Sequence, residues 1–330
     1  MRSLAVALWV GMAIAGCRSG GRTMMIDPGR SLPECPAGPH LALALQLRDS
    51  SADHALLRFD SSLAQCRGVA LARMTYASPS AVGGLPDGRE VIGFGGYNQS
   101  GQLAVVEGDT PRVIAESPQT FPVSFAVIDH GGPMLAVLWG NGSSGSGDHI
   151  DLYRLPALEL TDTFDASFDH VGVSAPPSGM PDRLGLLDAG DGVQEARLDP
   201  GAESLATTGE LQLTIPSFQH YTAMHVVGAD VVGAAEDGLV YWSRGMPEAF
   251  LGPTPCGWAA TSTTVLPGEQ AEYIGAAHFG SDAIALVRGA LEDGADTSGG
   301  LYTITRRGEC VLLVAIPDTH EPVGMAWSGR

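Results

Sequence analysis

Six apolar runs with a high content of glycine and alanine recur along this chain and constrain its fold more than any other feature. They are LALALQL at 41–47, VIGFGG at 91–96, MLAVLWG at 134–140, RLGLLDAG at 183–190, VVGAAED at 231–237 and YIGAAHFG at 273–280. A strand with one face in water alternates apolar and polar residues, whereas a strand buried on both faces gives a continuous apolar run. Small side chains also let neighbouring sheets approach closely. The runs therefore predict strands enclosed between sheets in an all-β protein.

The spacing of these runs indicates which all-β fold to expect. The small residues that follow each opening apolar pair are Ala44, Gly93, Ala136, Gly185, Gly233 and Gly275. They lie 49, 43, 49, 48 and 42 residues apart, and a period in the forties is the length of a four-stranded propeller blade. We therefore predict a β-propeller over residues 39–330 with six blades. A seventh blade fits within residues 256–317, and a β-sandwich is the alternative fold.

The C-terminal segment resembles an internal strand. PVGMAW at 322–327 is similar to PVSFAV at 122–127, which precedes the third run. The first run, by contrast, has no obvious strand before it. We expect the C-terminal segment to pair with the N-terminal blade and close the ring, because closure removes exposed sheet edges.

One run carries a family resemblance. Gly95, Gly96 and Tyr97 follow Val91 and Ile92, an order that resembles the double-glycine strand end of kelch repeats. The other runs lack the glycine pair, and no copy keeps a matching tryptophan spacing. The resemblance therefore implies an architecture and no functional residues.

The first seventeen residues have the pattern of a targeting signal. Arg2 supplies a positive start, residues 4–14 are apolar, and small residues lead into Cys17. This order resembles a bacterial lipoprotein signal with its lipobox, in which the cysteine is acylated. An apolar run of about eleven residues is shorter than the ~20 that a membrane-spanning helix needs. The resemblance implies a signal peptide at 1–16, a flexible lipid-anchored tether at 17–38, and a location in the bacterial cell envelope at the outer membrane. Ordinary signal cleavage after Ala15 is the alternative.

Charge and cysteine content exclude several functions. All eighteen basic residues are arginine, so Schiff-base and phosphate-loop lysine chemistry is excluded. A formal net charge of −19 argues against a nucleic-acid partner. Besides Cys17 there are four cysteines, an even number that favours two disulfides in an exported chain. Three pairings are possible, and we expect Cys35 with Cys66 and Cys256 with Cys310 because each pair lies within one region of the chain.

Two small groups are candidates for ligand binding. Asp148, His149 and Asp151 follow a glycine- and serine-rich segment and are suited to a metal or acid–base site, although turn formation explains them equally well. Trp242 and Arg244 could stack on a sugar or hold a peptide if they lie at a channel mouth.

No motif assigns a catalytic residue, a metal site or a cofactor. We therefore expect a lipid-anchored scaffold that binds a protein or glycan partner. The alternative is a hydrolase or lyase with a histidine and carboxylate site at the channel mouth. Convergence of several histidines and carboxylates at one end of the ring would distinguish the two.

Overall fold

A computed structural model describes most of the chain outside its N-terminal region. The described residues are 22–23, 32–47, 54–71, 78–96, 100–140, 147–166, 170–188, 192–199, 201–202, 204–207, 221–227, 230–235, 238–243, 246–251, 272–288, 299–307, 309–317 and 319–329. Over these ranges the regular structure consists of β-strands arranged in six sheets. Within the same ranges, no helix has the length and apolar character needed to cross a membrane.

Sheets 1 to 3 each contain four antiparallel strands. Sheet 1 consists of β25 (His320–Ser328), β2 (His40–Leu47), β3 (Ala55–Phe59) and β4 (Gln65–Ala70). Sheet 2 consists of β5 (Pro79–Gly84), β6 (Glu90–Phe94), β7 (Gly101–Glu107) and β8 (Thr110–Ser117). Sheet 3 consists of β9 (Phe121–Asp129), β10 (Pro133–Gly140), β11 (His149–Arg154) and β12 (Glu159–Asp165).

Sheets 4 to 6 repeat this order, and sheet 6 gains a fifth strand. Sheet 4 consists of β13 (His170–Ser174), β14 (Arg183–Asp188), β15 (Gly192–Arg197) and β16 (Ala206–Thr207). Sheet 5 consists of β17 (Tyr221–Val227), β18 (Asp230–Ala235), β19 (Gly238–Ser243) and β20 (Met246–Leu251). Sheet 6 consists of β21 (Glu272–Phe279), β22 (Asp282–Arg288), β23 (Gly300–Ile304) and β24 (Cys310–Ala315), with β1 (Arg22–Thr23) added in parallel to β24.

The first strands of the six sheets form a closed ring. β25, β5, β9, β13, β17 and β21 contact one another in that order, and β21 contacts β25 again. These first strands run in the same direction. Near the starts of two neighbouring strands, Ser80 of β5 donates to the carbonyl of Pro122 of β9. Just beyond the ends of two others, Gly329 after β25 donates to the carbonyl of Leu85 after β5. We call the end where these strands finish, with its hairpins such as 85–89 and 130–132, the turn end. We call the end where they begin the loop end. The predicted β-propeller class is confirmed.

Burial on both faces explains the continuous apolar runs. In β2, Leu41, Leu43 and Leu45 pack towards sheet 6, while Ala42 and Ala44 pack towards sheet 2. All five side chains have no exposed surface. A strand that buries both faces has no position for a polar residue, so the alternation disappears.

The C-terminal strand closes the ring as expected. β25 pairs antiparallel with β2 from His40 opposite Ser328 to Leu47 opposite His320. Trp327 in this strand is buried and stacks on Phe279 of sheet 6, with ring centroids 6.5 Å apart. The pairing gives sheet 1 its first strand, in the position that β9 holds in sheet 3.

Two details of the expected repeat are wrong. Five of the runs lie on second strands, but the run at 273–280 lies on β21, which is the first strand of sheet 6. β21 is rich in small residues because it lines the centre of the ring. The segments expected as a possible seventh blade, AIALVR and LYTIT, are β22 and β23 and belong to the same sheet.

Described parts of the segment expected to be a flexible tether are attached to the ring. Arg22 and Thr23 pair with β24. Cys35 forms a disulfide with Cys66 of sheet 1, as predicted, with Cα atoms 5.0 Å apart. The backbone NH of Arg67 donates to the carbonyl of Pro33. Cys310 is also disulfide-bonded, while Cys256 lies outside the described residues, so its pairing stays a prediction.

The disulfide should contribute measurably to stability. It joins residues 31 positions apart, and a closed loop of this length predicts a loss of about 3 to 4 kcal/mol in the double variant Cys35→Ser/Cys66→Ser. Chemical unfolding monitored by tryptophan fluorescence measures the loss. Equal midpoints for the oxidised parent and the double variant would contradict the prediction.

Close approach of β5 and β25 requires a glycine at position 84. A Cβ at Gly84 would overlap the carbonyl oxygen of Trp327, and neither backbone can move without opening the ring contact. We expect Gly84→Ala to lower the free energy of unfolding by about 3 kcal/mol. Gly140→Ala is the matched control, because its Cβ would lie 3.5 Å from the nearest Val123 carbon, an ordinary contact. Equal urea midpoints for the two variants would refute this account.

Candidate functional site

A cavity occupies the central channel of the ring. It has a volume of about 520 Å³, and the first strands of all six sheets line it. Most lining residues are alanine, glycine or valine, and the polar side chains among them are Ser80, Ser124, Ser174 and His225. Small residues dominate because six strands converge here.

The channel serines bond to backbone atoms. Ser80 Oγ donates to the carbonyl of Pro122 at 2.6 Å, joining sheets 2 and 3. Ser124 Oγ accepts the backbone NH of Val173 at 3.1 Å, joining sheets 3 and 4. Ser174 Oγ donates to the carbonyl of Ala175 at 2.9 Å. The hydroxyls of Ser80 and Ser124 therefore join neighbouring strands, whereas that of Ser174 bonds within its own segment.

His225 is the titratable group among the described residues of the channel wall. Its Nδ1 accepts the backbone NH of His278 at 3.2 Å, and the Nδ1 atoms of the two histidines are 3.1 Å apart. A nitrogen that accepts an amide hydrogen carries no proton of its own, so this contact fits the tautomer of His225 with its proton on Nε2. The contact joins sheets 5 and 6 near the turn end.

A second cavity of about 420 Å³ lies between sheets 1 and 2, also at the turn end. Its lining includes the fully buried Glu90, which contacts His40 and Arg58 of sheet 1. Arg58 donates through Nε and Nη2 to the two oxygens of Glu90 at 2.7 and 2.9 Å, a bidentate pair. His40 Nε2 lies 2.6 Å from Oε1 of the same carboxylate.

This arrangement keeps Glu90 ionised. Burial raises the pKa of Glu90, but hydrogen bonds from His40 and Arg58 outweigh burial and hold that pKa below its usual value. An ionised carboxylate inside a protein is tolerated when it is paired and fully hydrogen-bonded. We call His40, Arg58 and Glu90 the ionic joint, because their contacts link sheets 1 and 2 through the buried carboxylate.

Further polar contacts lie at the same end of the ring. His130 Nδ1 is 2.9 Å from Asp182 Oδ1, which links sheets 3 and 4. The buried Glu195 accepts the backbone NH and the hydroxyl of Ser178 at 2.6 and 2.8 Å, and Arg183 lies 3.2 Å away. These contacts anchor the connection at 175–182.

Histidines and carboxylates thus do converge at one end, but in separate pairs. His40 with Glu90, His130 with Asp182, and His225 with His278 each span a different interface between sheets. Sequence reasoning missed these pairs because the partners are about fifty residues apart and no local pattern marks them. Within the described ranges, no three histidine, cysteine, aspartate or glutamate side chains are grouped closely enough to hold a metal ion.

The candidate group at 148–151 lies at the opposite, loop end. Asp151 is buried and accepts Thr163 Oγ1 at 2.7 Å and the Tyr153 hydroxyl at 3.1 Å. His149 Nε2 is 4.0 Å from Asp151 Oδ2, and its ring stacks on Trp139 with centroids 5.8 Å apart. Asp148 accepts the backbone NH of Ala166 through its carbonyl.

Asp151 therefore has a structural role that its sequence context did not suggest. Burial raises the pKa of Tyr153, and the neighbouring Asp151 carboxylate raises it further, so this hydroxyl stays protonated and donates. The contact holds Asp151 within sheet 3. The structure brings His149 and Asp151 together.

The second candidate pair lies in sheet 5. Trp242 is on β19, opposite Val231 and Pro247, towards the turn end. Arg244 lies outside the described residues, so their proposed cooperation stays a prediction.

Comparisons with known proteins show the fold alone. No protein-family model and no curated protein matches the chain. A protein of unknown function from Bacteroides caccae is similar over 88% of this chain and 99% of its own, with a TM-score of 0.57 and 10% identity. TolB from Acinetobacter baumannii is similar over 90% of this chain and 68% of its own, with a TM-score of 0.57 and 14% identity.

Glu90 gives a direct test of the ionic joint. We expect Glu90→Gln to lower the free energy of unfolding by about 3 kcal/mol at neutral pH, because Arg58 loses its counter-charge. Since the folded-state pKa of Glu90 is depressed, the parent should lose this contribution as the pH falls below 4.5, the usual glutamate value, and the variant should show a weaker acid dependence. Urea unfolding across this range measures both effects.

Glu107→Gln is the matched control for this experiment. Glu107 pairs with Arg112 on the surface, where solvent screens the interaction, so little change is expected. Equal losses in the two glutamate variants would contradict a buried ionic joint.

Proposed function

We propose that this protein is a lipid-anchored envelope scaffold that binds a protein or glycan partner at the loop end of its ring. The anchor is an acyl group on Cys17, and the location is the bacterial outer membrane. Each of the six sheets is one blade, and the pairing of Cys256 with Cys310 gives the domain its second disulfide. The lipobox resemblance supports the anchor, and the closed ring of first strands supports the blade count.

The binding face is assigned from the lengths of the connections between strands, which differ between the two ends of the ring. At the turn end, successive strands are separated by at most eight residues, at 175–182 and 198–205, and elsewhere by fewer, for example at 130–132 and 305–309. At the loop end, the strands that flank 208–220, 252–271 and 289–299 are separated by 13, 20 and 11 residues. Long loops on a rigid scaffold are where binding residues concentrate, since loop sequences vary without disturbing the core.

The candidate residues divide between the two ends. Asp148, His149 and Asp151 follow a loop-end connection, which places them with the proposed binding face. Trp242 lies near the end of β19, at the turn end, so a ligand role for it together with Arg244 requires a second binding face.

A hydrolase or lyase remains the alternative function. Its support is the convergence of histidines and carboxylates at the turn end, with His225 in the channel wall. Against it, the described pairs are engaged in contacts between sheets, so a reaction there would break a structural joint. The scaffold function is therefore the one that the geometry favours.

The proposed binding face can be tested with cross-linking positions at the two opposite ends of one strand. Thr110 begins β8 at the turn end and Gln119 follows the same strand at the loop end, and both are exposed. A photo-activatable residue at Gln119 should give one discrete protein adduct in intact cells, and the same residue at Thr110 should not. For a glycan partner, the expected result is a rise in Tm with envelope glycans, lost when loop-end residues are changed. An adduct from Thr110 alone, or neither adduct nor glycan stabilisation, would refute the proposal.

A further inference from the structure

We propose that the turn end of the ring lies against the membrane, so that the phospholipid surface itself is the partner of this face. The inference rests on the anchor at Cys17 and deepens it, because an anchor alone leaves the orientation of the domain open. It also leaves the loop end directed away from the membrane, where a partner can reach it.

The path of the chain gives the direction. β1 is parallel to β24, with Arg22 opposite Val314 and Thr23 opposite Ala315. β24 begins at the turn end, directly after the hairpin 305–309. Since the two strands are parallel, Arg22 lies on the turn-end side of Thr23, so the N-terminal end of β1 faces the turn end.

The length of the chain then limits the distance to the lipid. Five residues separate Arg22 from Cys17, so the chain between them spans at most about 18 Å when fully extended. From Val314 back to the start of β24 the strand covers about 13 Å. An acylated Cys17 lies at the membrane interface. The outer edge of sheet 6 is therefore held close to the leaflet, and the turn end is within reach of the anchor.

Exposed apolar side chains lie at this same end. Among the described residues, the large hydrophobic side chains with at least half of their surface exposed are Leu160, Met180, Val227 and Val311, at 55%, 50%, 51% and 55%. Leu160 and Val311 are the second residues of β12 and β24, Val227 ends β17, and Met180 lies in the connection 175–182. Each of these positions is at the turn end. Exposed apolar residues scattered over a surface need no explanation, but their restriction to one end of a ring suits contact with a flat apolar boundary.

An arginine pair adds a partner for lipid phosphates. Arg306 and Arg307, the one consecutive pair of basic residues in the sequence, are exposed in the hairpin 305–309 next to the anchored edge. Glu309 lies in the same hairpin. A guanidinium group binds phosphate oxygens through two parallel hydrogen bonds. In a chain of net charge −19, this pair brings positive charge to the edge that the anchor holds near the headgroups.

The test couples the chain to a membrane without relying on cellular acylation. In a protein comprising residues 17–330, Cys17 is the cysteine outside the two proposed disulfides. Its thiol can be joined to a maleimide lipid in vesicles of phosphatidylethanolamine and phosphatidylglycerol. Hydrogen–deuterium exchange is compared with that of the thiol-capped protein in solution. We expect backbone amides at 155–158 and 305–309 to exchange about fivefold more slowly on vesicles, with no change at 118–120 on the loop end.

A matched pair of variants completes the experiment. Val311→Asp combined with Arg307→Glu should abolish the protection at the turn end, whereas Gln119→Glu at the loop end should leave it intact. Protection at the loop end, or at neither end, would overturn the orientation. A Cys17 peptide from native membranes that lacks acyl mass would overturn the anchor instead, so the two failures are distinguishable.

Discussion

Burial of the second strand of each sheet on both of its faces is the constraint on which this structure depends. β2 illustrates it, with its leucines packed towards one neighbouring sheet and its alanines towards the other. A sheet of this kind is stable only between two others, and a linear stack would leave two sheets half exposed. A ring satisfies the requirement for every sheet, because each has a neighbour on both sides. The pairing of β25 with β2 is the step that completes the ring, and it also ties the two ends of the domain together.

The same constraint determines where polar groups are found. Strands packed on both faces leave little space for ionisable side chains except near their ends. There, the pairs of His40 with Glu90 and of His130 with Asp182 join neighbouring sheets. Glu90 shows the requirement most clearly, since it has no exposed surface and is held by Arg58 and His40 of the adjacent sheet. Such contacts are costly to break, so they make the turn end rigid. This rigidity favours a scaffold over a site that must change during a reaction.

The two ends of the ring have complementary properties. The turn end has short hairpins, exposed apolar side chains and the arginine pair next to the edge where β1 joins sheet 6. The loop end has the long connections and the stacked pair of Trp139 and His149. The orientation proposed above would use both properties, because a membrane offers a flat surface to short turns and a partner offers a shaped surface to long loops.

The all-β class, the propeller and its closure by the C-terminal strand were predictable from the amino-acid sequence. The apolar runs report burial on two faces, and burial of a strand is a local property that composition records. The pairing of Cys35 with Cys66 was also predicted, since both lie in one region of the chain. The run around Gly275 follows the period of the other five runs but lies on a first strand, because small residues serve both the interfaces and the channel wall.

The contacts between titratable groups, by contrast, became visible in the folded structure. Asp148, His149 and Asp151 are adjacent in sequence, yet Asp151 is held by Tyr153 and Thr163 within its own sheet. His40 and Glu90 are fifty residues apart and form a buried pair. Local sequence patterns describe the environment of a strand, whereas a contact between sheets depends on which strands become neighbours when the ring closes.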